Sequence, residues 1–170
     1  MVAWIGLGAN LGDPLRNIHS AIARLRACPG IRLESQSSLY RSEPWGMSEQ
    51  PAFVNAVLRI ETPLEPLPLL EILLDVEREL GRARAGPHWG PRVIDLDLLS
   101  HDNLMLQSAR LSLPHPRMHQ RAFVLLPLLE LAPDFEIPGL GRAADCLARI
   151  DPRERRGVTP LAPKPEDPTR

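Results

Sequence analysis

The sequence predicts an α+β fold. Short apolar runs at residues 2–7, 53–60 and 93–99 have the length of strands. Two other segments, one following Asp13 and one holding Leu69, Leu70, Leu73, Val76 and Leu80, repeat their apolar residues at helical spacing. The order is strand, helix, strand, strand, helix, strand, with more helix beyond. It is the ferredoxin-like pattern of a split βαβ pair and implies a mixed sheet with antiparallel pairs, flanked by helices.

Each element has local reasons. The run at 2–7 ends at Gly8-Ala9-Asn10, as a buried strand does. Asp13-Pro14 supplies an N-cap and a first helical residue, Leu15, Ile18, Ile22 and Leu25 follow on one face, and Pro29-Gly30 stops the helix. Residues 31–40 alternate well enough for one strand, and residues 42–51 form a loop with Pro44, Trp45 and Gly46. The second helix ends at Gly81, and a polar loop with Gly and Pro occupies 82–91. Residues 111–116 read as irregular. A third helix is expected over 119–131, with Pro127 bending it or resetting its start. A single catalytic domain is thus expected over 1–151. The Pro- and charge-rich stretch 152–170 reads as a disordered tail.

The chain has 170 residues, enough to bury a core. Its formal net charge of -1 gives no sign of bulk nucleic-acid binding. Cys28 and Cys146 lack CxxC spacing and read as reduced thiols. Residues 1–8 lack the basic region and cleavage site of a signal peptide, and no apolar run reaches membrane-spanning length. A cytoplasmic monomer acting on small molecules, without nucleic acid or membrane partners, is the expectation.

The chemistry concentrates around Asp95 and Asp97. At i and i+2 of a strand, both carboxylates leave one face with Cα atoms roughly 7 Å apart, while Leu96 and Leu98 point to the core. Two neighbouring carboxylates repel and are comfortable only beside a cation. Mg²⁺ suits oxygen ligands and usually keeps substrate phosphates in its shell. The bland alternative is a pair of solvated acids on an edge strand, although Asp is a poor strand former. Arg82, Arg84 and Arg92 precede the pair, and Arg117 and Arg121 follow His115. Guanidinium forks match phosphate oxygens, and phosphoryl-type transfer needs this mixture of metal and fixed cations.

Other segments give weaker signals. Residues 6–12 hold glycines whose spacing misses GxGxxG by one residue, so tight backbone at a strand–helix junction is preferred to dinucleotide binding. No GxxxxGK[ST] is present. Phe53 and Asn55 share a strand face, and with Trp45 and Phe123 they suit a flat heterocycle or, equally, a core with a satisfied amide. His19, His101 and His119 read as surface residues, whereas His115, between Pro114 and Pro116, is held more stiffly. Two alternatives stay open at this level: a DxD nucleotide-sugar transferase and a non-enzymatic ferredoxin-like RNA-binding module, the latter without RNP-type aromatic strands.

The stretch His88-Trp89-Gly90-Pro91-Arg92-Val93-Ile94-Asp95-Leu96-Asp97-Leu98-Leu99 closely resembles the signature of the 6-hydroxymethyl-7,8-dihydropterin pyrophosphokinase family of folate biosynthesis. Gly8-Ala9-Asn10-Leu11-Gly12, Ser38-Leu39-Tyr40-Arg41-Ser42-Glu43-Pro44, Gln50-Pro51-Ala52-Phe53-Val54-Asn55-Ala56, Leu113-Pro114-His115-Pro116 and Arg121-Ala122-Phe123-Val124-Leu125 are similar to family segments, in family order. The resemblance spans about residues 2–138. It implies a ferredoxin-like α+β fold with long active-site loops, and Mg²⁺-dependent transfer of the β,γ-diphosphate of ATP to the pterin hydroxymethyl group, leaving AMP. By the same resemblance Asp95 and Asp97 hold a Mg²⁺ pair. Arg82, Arg84, Arg92, His115 and Arg121 hold phosphates, with Arg82 and Arg92 nearest the transferred group. Glu77, Trp89 and Leu98 seat the nucleotide. Phe53 and Phe123 sandwich the pterin and Asn55 reads its edge, with help from Ser42, Pro44 and Gly46. Closing loops around Trp45 and residues 82–89 would exclude water. The chain departs from the expected pattern at Leu74, where a polar residue is expected, at Pro116, where some members are aromatic, at Phe53, which replaces a common Tyr, and at Gly86-Pro87 in the loop.

Overall fold

A computed structural model describes residues 1–44, 49–81 and 92–161. In chain order the elements are β1 (Val2–Ala9), α1 (Pro14–Ala27), β2 (Arg32–Gln36), β3 (Tyr40–Ser42), β4 (Phe53–Glu61), α2 (Pro66–Glu79), β5 (Asp95–His101), β6 (Leu106–Gln107) and β7 (Ser112–Leu113). A 3-10 turn (Met118–Gln120), α3 (Ala122–Leu131), β8 (Glu136–Ile137), β9 (Gly141–Arg142), α4 (Ala143–Arg149), α5 (Pro152–Arg156) and β10 (Val158–Pro160) complete them.

The main sheet runs β10-β3-β4-β1-β5, with β2 on the same edge of β4 as β3. All pairings among the described residues are antiparallel. The parallel relation expected of a mixed sheet exists only between strands that do not touch. The α1 crossover carries β1 past β4 to β2, and the α2 crossover carries β4 past β1 to β5, so each crossover leaves an antiparallel strand in the gap.

Alternation divides the core into two layers. Ala3, Ile5, Leu7 and Ala9 of β1 join Leu58, Ile60, Leu96 and Leu98 under α1 (Ile18, Ile22, Leu25) and α2 (Leu69, Leu73, Val76). Trp4, Val57 and Leu99 on the opposite face pack against Met118, Ala122, Val124, Leu125 and Leu128 of the α3 region and Cys146 of α4. Covering that second face removes the open sheet surface that an RNA-binding module would need. Asp13 caps α1 as expected, its carboxylate accepting the Arg16 N–H at 3.1 Å.

Several expectations change. The strand expected over 31–40 is broken between β2 and β3, because the Ser37 hydroxyl takes the Val57 N–H at 2.9 Å in place of a ladder carbonyl. The strand expected at 93–99 begins at Asp95 and runs to His101. The third helix is a 3-10 turn and an α-helix separated by Arg121, whose backbone is extended (φ -119°, ψ 105°), and Pro127 lies inside α3 without resetting its start. His101 is buried, not on the surface, because the Leu64 carbonyl lies 2.9 Å from its Nε2. Residues 152–160 are not a disordered tail: they form α5 and β10, and β10 adds a strand beside β3. Most of the segment is exposed, Glu154 and Arg155 are half-buried and Val158 is its one buried residue, a pattern that composition reads as disorder. Residues 162–170 lie outside the described residues.

Candidate active site

β5 positions the acidic pair. Asp95 lies opposite Gly8 and Asp97 opposite Gly6 in the ladder with β1, so both carboxylates stand on the α3 side of the sheet. The same row continues from Gly8 to Asn55 of β4 and from Asn55 to Tyr40 of β3. With no side chains on Gly6 and Gly8, the sheet opens into a cavity lined by Gly6, Gly8, Ser42, Phe53, Asn55 and Phe123, and also by Glu43 and Val124. Asn55, 3% exposed, donates through Nδ2 to the Ser42 hydroxyl at 2.6 Å, which fixes its amide edge. Phe123 stands in the first turn of α3, with the Arg121 guanidinium carbon 5.6 Å from its ring centre.

A second groove follows the β5 edge between α2 and the segment after β7. Its walls include Leu70, Leu74, Glu77, Leu96, Leu98, His115, Pro116 and Arg117. Arg92, Asp95, Asp97 and Arg121 line both spaces. The carboxylate pair is therefore the meeting point of an aromatic cavity and an open groove.

Fixed contacts surround the pair. Arg92 Nη1 forms an ion pair with Asp95 Oδ2. Arg121 Nη1 is 3.6 Å from Asp97 Oδ2, and His115 Nε2 is 3.9 Å from the same oxygen. The peptide N–H of His115 donates to the Leu99 carbonyl at 2.8 Å, which ties the histidine's segment to β5. The Arg117 N–H donates to His115 Nδ1 at 3.1 Å, so the neutral ring carries its proton on Nε2, facing Asp97. Burial, then the Arg121 charge, pushes the His115 pKa down to about 4, so the ring is neutral at neutral pH and its approach to Asp97 is no ion pair there. Asp97 moves the other way, up to about 7, through burial first and the Asp95 charge second, against the pull of Arg121. A third of its side-chain surface remains open, so it is the wall of a cavity and not a core group.

Two residues hold this arrangement from behind. Glu77, 3% exposed, accepts the Leu96 N–H through Oε1 at 2.7 Å, between the two aspartates. Asn10, 2% exposed, accepts the Arg92 N–H at 2.8 Å and donates to Gln50 Oε1 at 2.9 Å and the Pro51 carbonyl at 3.0 Å. The Arg92 carbonyl in turn accepts the N–H groups of Asn10 and Leu11. Asn10 thus joins the end of β1 to the segments that lead into β4 and β5.

The structure brings together Glu77, Arg92, Asp95, Asp97, Leu98, His115, Arg121, Ser42, Phe53, Asn55 and Phe123 around the two spaces. Pro44, half-buried two residues beyond Ser42, is not among the cavity walls. Trp45, Gly46, Arg82, Arg84 and Trp89 lie outside the described residues. Sequence reasoning missed three features: Gly6 and Gly8 as a cavity floor, Asn10 as a tie, and Leu70 as a groove wall; Arg117, named there only as one of the arginines after His115, is a groove wall as well. The signal for the glycines was present, since two glycines alternating on one strand face leave a gap that side chains elsewhere can line.

Two adjoining small-molecule spaces meeting at paired carboxylates and fixed arginines are the layout of a two-substrate transferase. Residues 4–133 match the family model described as 7,8-dihydro-6-hydroxymethylpterin-pyrophosphokinase (HPPK). A 2-amino-4-hydroxy-6-hydroxymethyldihydropteridine pyrophosphokinase of Methylorubrum extorquens is 45% identical over 150 residues, 88% of this chain and 94% of the relative. One of the same name from Haemophilus influenzae is 44% identical over 138 residues, 81% and 86% of the two chains. The fold is shared with a Plasmodium falciparum HPPK-DHPS solved with pterin and p-hydroxybenzoate, at a TM-score of 0.71 and 14% identity, covering 94% of this chain and 47% of that one. The chain thus spans less than half of that solved protein. It belongs to the 7,8-dihydro-6-hydroxymethylpterin-pyrophosphokinase family.

Proposed function

We propose that this protein transfers the β,γ-diphosphate of ATP to the hydroxymethyl group of 6-hydroxymethyl-7,8-dihydropterin, releasing AMP in folate synthesis, as a cytoplasmic monomer. The observation that carries the proposal is the shared lining. Arg92, Asp95, Asp97 and Arg121 border both the aromatic cavity and the edge groove, so molecules held in each would meet there. The pterin lies in the cavity between Phe53 and Phe123, its edge on Asn55 and its plane over Gly6 and Gly8. Ser42, Pro44, Trp45 and Gly46 complete that half. ATP lies in the groove, beside Leu98, Glu77, His115 and Arg121, with Arg82, Arg84 and Trp89 added by family resemblance. Leu74 and Pro116 border the groove, so its apolar wall replaces polar or aromatic contacts there.

The acidic pair fits a Mg²⁺ site. Asp95 and Asp97 share a face, Asp97 resists ionisation, and among the described residues no third His, Cys, Asp or Glu joins them to enclose an ion. Such a half-shell suits a hard cation that takes its remaining ligands from phosphate and water. Asp95 and Asp97 would hold the Mg²⁺, which would supply neutralisation of phosphate charge and Lewis-acid polarisation of the acceptor hydroxyl.

The chain's own groups do the rest. Arg121 and Arg92 place cations beside the transferred group, and neutral His115 offers its Nε2–H to a phosphate oxygen. The hydroxymethyl oxygen bonds to Pβ, the bond from Pβ to the oxygen bridging Pα breaks, AMP leaves with that oxygen, and the hydroxyl proton passes to solvent. Alignment supplies much of the rate, since a primary alcohol needs orientation and charge neutralisation more than a strong base. Product analysis in a single turnover tests the proposal: AMP and the pterin diphosphate are expected. ADP as product, or pterin binding indifferent to Mg²⁺ and an ATP analogue, would overturn it.

A further inference from the structure

β10 lies beyond the family-model match at 4–133, yet it pairs with the strand that carries one wall of the aromatic cavity. Its partner β3 is three residues long, and β4 holds the other side of β3 in the register Tyr40↔Asn55, Arg41↔Val54, Ser42↔Phe53. Without β10, β3 would be an edge of the sheet. The ladder with β10 runs Val158↔Ser42, Thr159↔Arg41, Pro160↔Tyr40, and the Leu161 N–H extends it to the Leu39 carbonyl at 2.8 Å. Bonded and non-bonded pairs alternate along an antiparallel ladder. With Leu161 bonded to Leu39, Thr159 and Arg41 form the next bonded pair, and Pro160 falls at a position that needs no N–H. The N–H of exposed Thr159 is thus the β10 ladder donor nearest Ser42.

Side chains tell the same story. Cross-strand partners share a face, so Val158, Ser42 and Phe53 form one row across three strands. Val158 is buried in the layer under α3, while Ser42 and Phe53 line the cavity. The buried Ser42 hydroxyl in turn accepts the Asn55 Nδ2–H at 2.6 Å. A chain of contacts therefore leads from β10 through Ser42 to the amide of Asn55.

We propose that β10 is a positioning element for the pterin half of the site: the Thr159 N–H and the Val158 side chain fix β3, and with it the Ser42 hydroxyl that orients the Asn55 amide. It rests on the function proposed above, which sets the pterin edge on Asn55. Hydrogen bonds weaken steeply as their geometry departs from the optimum. A β3 released on its outer side would let Ser42 shift and the amide turn, and small misplacements of positioning groups are costly. The nucleotide groove is built on α2, β5 and residues 111–121, whereas the main neighbours of β10 are β3, α3 and α5.

The test compares Thr159→Pro, which deletes the ladder donor, with Thr159→Val, which keeps it, in the full chain. Val158 is already extended, so the new proline suits the residue before it. Loss of one ladder bond is expected to raise the pterin KM roughly three- to tenfold in Thr159→Pro, with the ATP KM within about twofold and Thr159→Val at wild-type values. The side-chain NH₂ resonances of Asn55 report its bond to Ser42 without any turnover. They are expected to shift in Thr159→Pro and to stay in place in Thr159→Val. Should Thr159→Pro fail to fold, Val158→Ala, which trims the row beside Ser42, carries the same comparison. Both KM values rising together, an unchanged pterin KM, or unmoved Asn55 resonances would overturn the inference. A wild-type protein that forms no AMP would instead sink the proposed function, and the Asn55 resonances would still decide whether β10 positions the amide.

Discussion

Asn10 Oδ1 accepts the backbone N–H of Arg92 at 2.8 Å, from a side chain 2% exposed to solvent. Arg92 is three residues before Asp95 and pairs with its carboxylate. The amide therefore sets the backbone from which both charged groups project, and its Nδ2 simultaneously holds Gln50 and Pro51. Asn10→Ala leaves the Arg92 N–H and the Pro51 carbonyl without this partner, at a cost of about 1–3 kcal/mol. The expected outcome is a lower melting temperature together with a fall in kcat/KM of roughly ten- to a hundredfold, from displaced Arg92 and Asp95. Steady-state kinetics below the melting transition check it. A destabilised variant with unaltered kcat/KM would show that Asn10 serves the fold alone.

Gly8 tests the cavity floor. A Cβ there would stand 3.3 Å from Asn55 Oδ1 and 3.9 Å from Phe53 Cδ1. Its φ lies outside the left-handed region, so Gly8→Ala is tolerated by the backbone and acts through the space it fills. Crowding of this kind costs about 1–3 kcal/mol, most of it falling on whatever lies against Asn55. Calorimetric titration of the pterin in the presence of an unreactive ATP analogue is expected to show affinity reduced at least about tenfold. Wild-type affinity would place the pterin elsewhere.

Much of this was legible in the sequence, for physical reasons that particular residues illustrate. Asp95 and Asp97 were visible because carboxylates are rare in an apolar strand and strand geometry forces them to one face. Asp13-Pro14 marked a helix start because capping is local. Asn10 escaped notice because its partners, Gln50 and Arg92, are forty and eighty-two residues away, and nothing local marks an amide that satisfies distant backbone. Residues 152–160 escaped for the same reason: Val158 takes its meaning from its pairing with Ser42, while the surrounding charge and proline look like a solvated tail. The break at Ser37 depends on a hydroxyl replacing one ladder bond, which strand periodicity does not register.

Asp97 gives a pH prediction. Its pKa is raised to about 7 in the folded, metal-free protein, from an ordinary value of 3.8. The folded state thus favours the proton, and the associated stability is present at low pH and lost as pH rises through about 7. Metal-free protein is expected to melt higher at pH 5.5 than this group allows at pH 8, the pH values being round choices about one unit or more either side of the transition. Asp97→Asn, which cannot ionise, is expected to flatten that difference and to stabilise the metal-free protein at the higher pH while abolishing activity. Mg²⁺ with an ATP analogue is expected to bind more weakly below about pH 7 and to release protons, measured by calorimetry in buffers of different ionisation heat. Binding without proton release at pH 6 to 7, roughly the window of that transition, would count against Asp97 as a ligand.

The Glu130 carboxylate ties the far end of α3 to the start of β3, and this link has its own pH signature. Tyr40 Oη donates to Oε2 at 2.5 Å, and the Ser38 N–H and hydroxyl both donate to Oε1 at 2.8 Å. Burial and the bond to Glu130 push the Tyr40 phenol up to about 12. Burial alone would raise Glu130, but the bonds from Tyr40 and Ser38 hold it below its ordinary value. The signs differ. The Tyr40 contribution is complete below its ordinary pKa of 10 and is lost as pH rises toward about 12. The Glu130 contribution is present above its ordinary 4.5 and is lost as pH falls through its lower folded value. Both groups are partly exposed, so Tyr40→Phe is expected to cost only about 1 kcal/mol at neutral pH. Its denaturant midpoint should then lose the wild-type decline between pH 10 and about 12. Chemical denaturation across that range checks it, and parallel curves for the two proteins would rule out the Tyr40–Glu130 bond as the source.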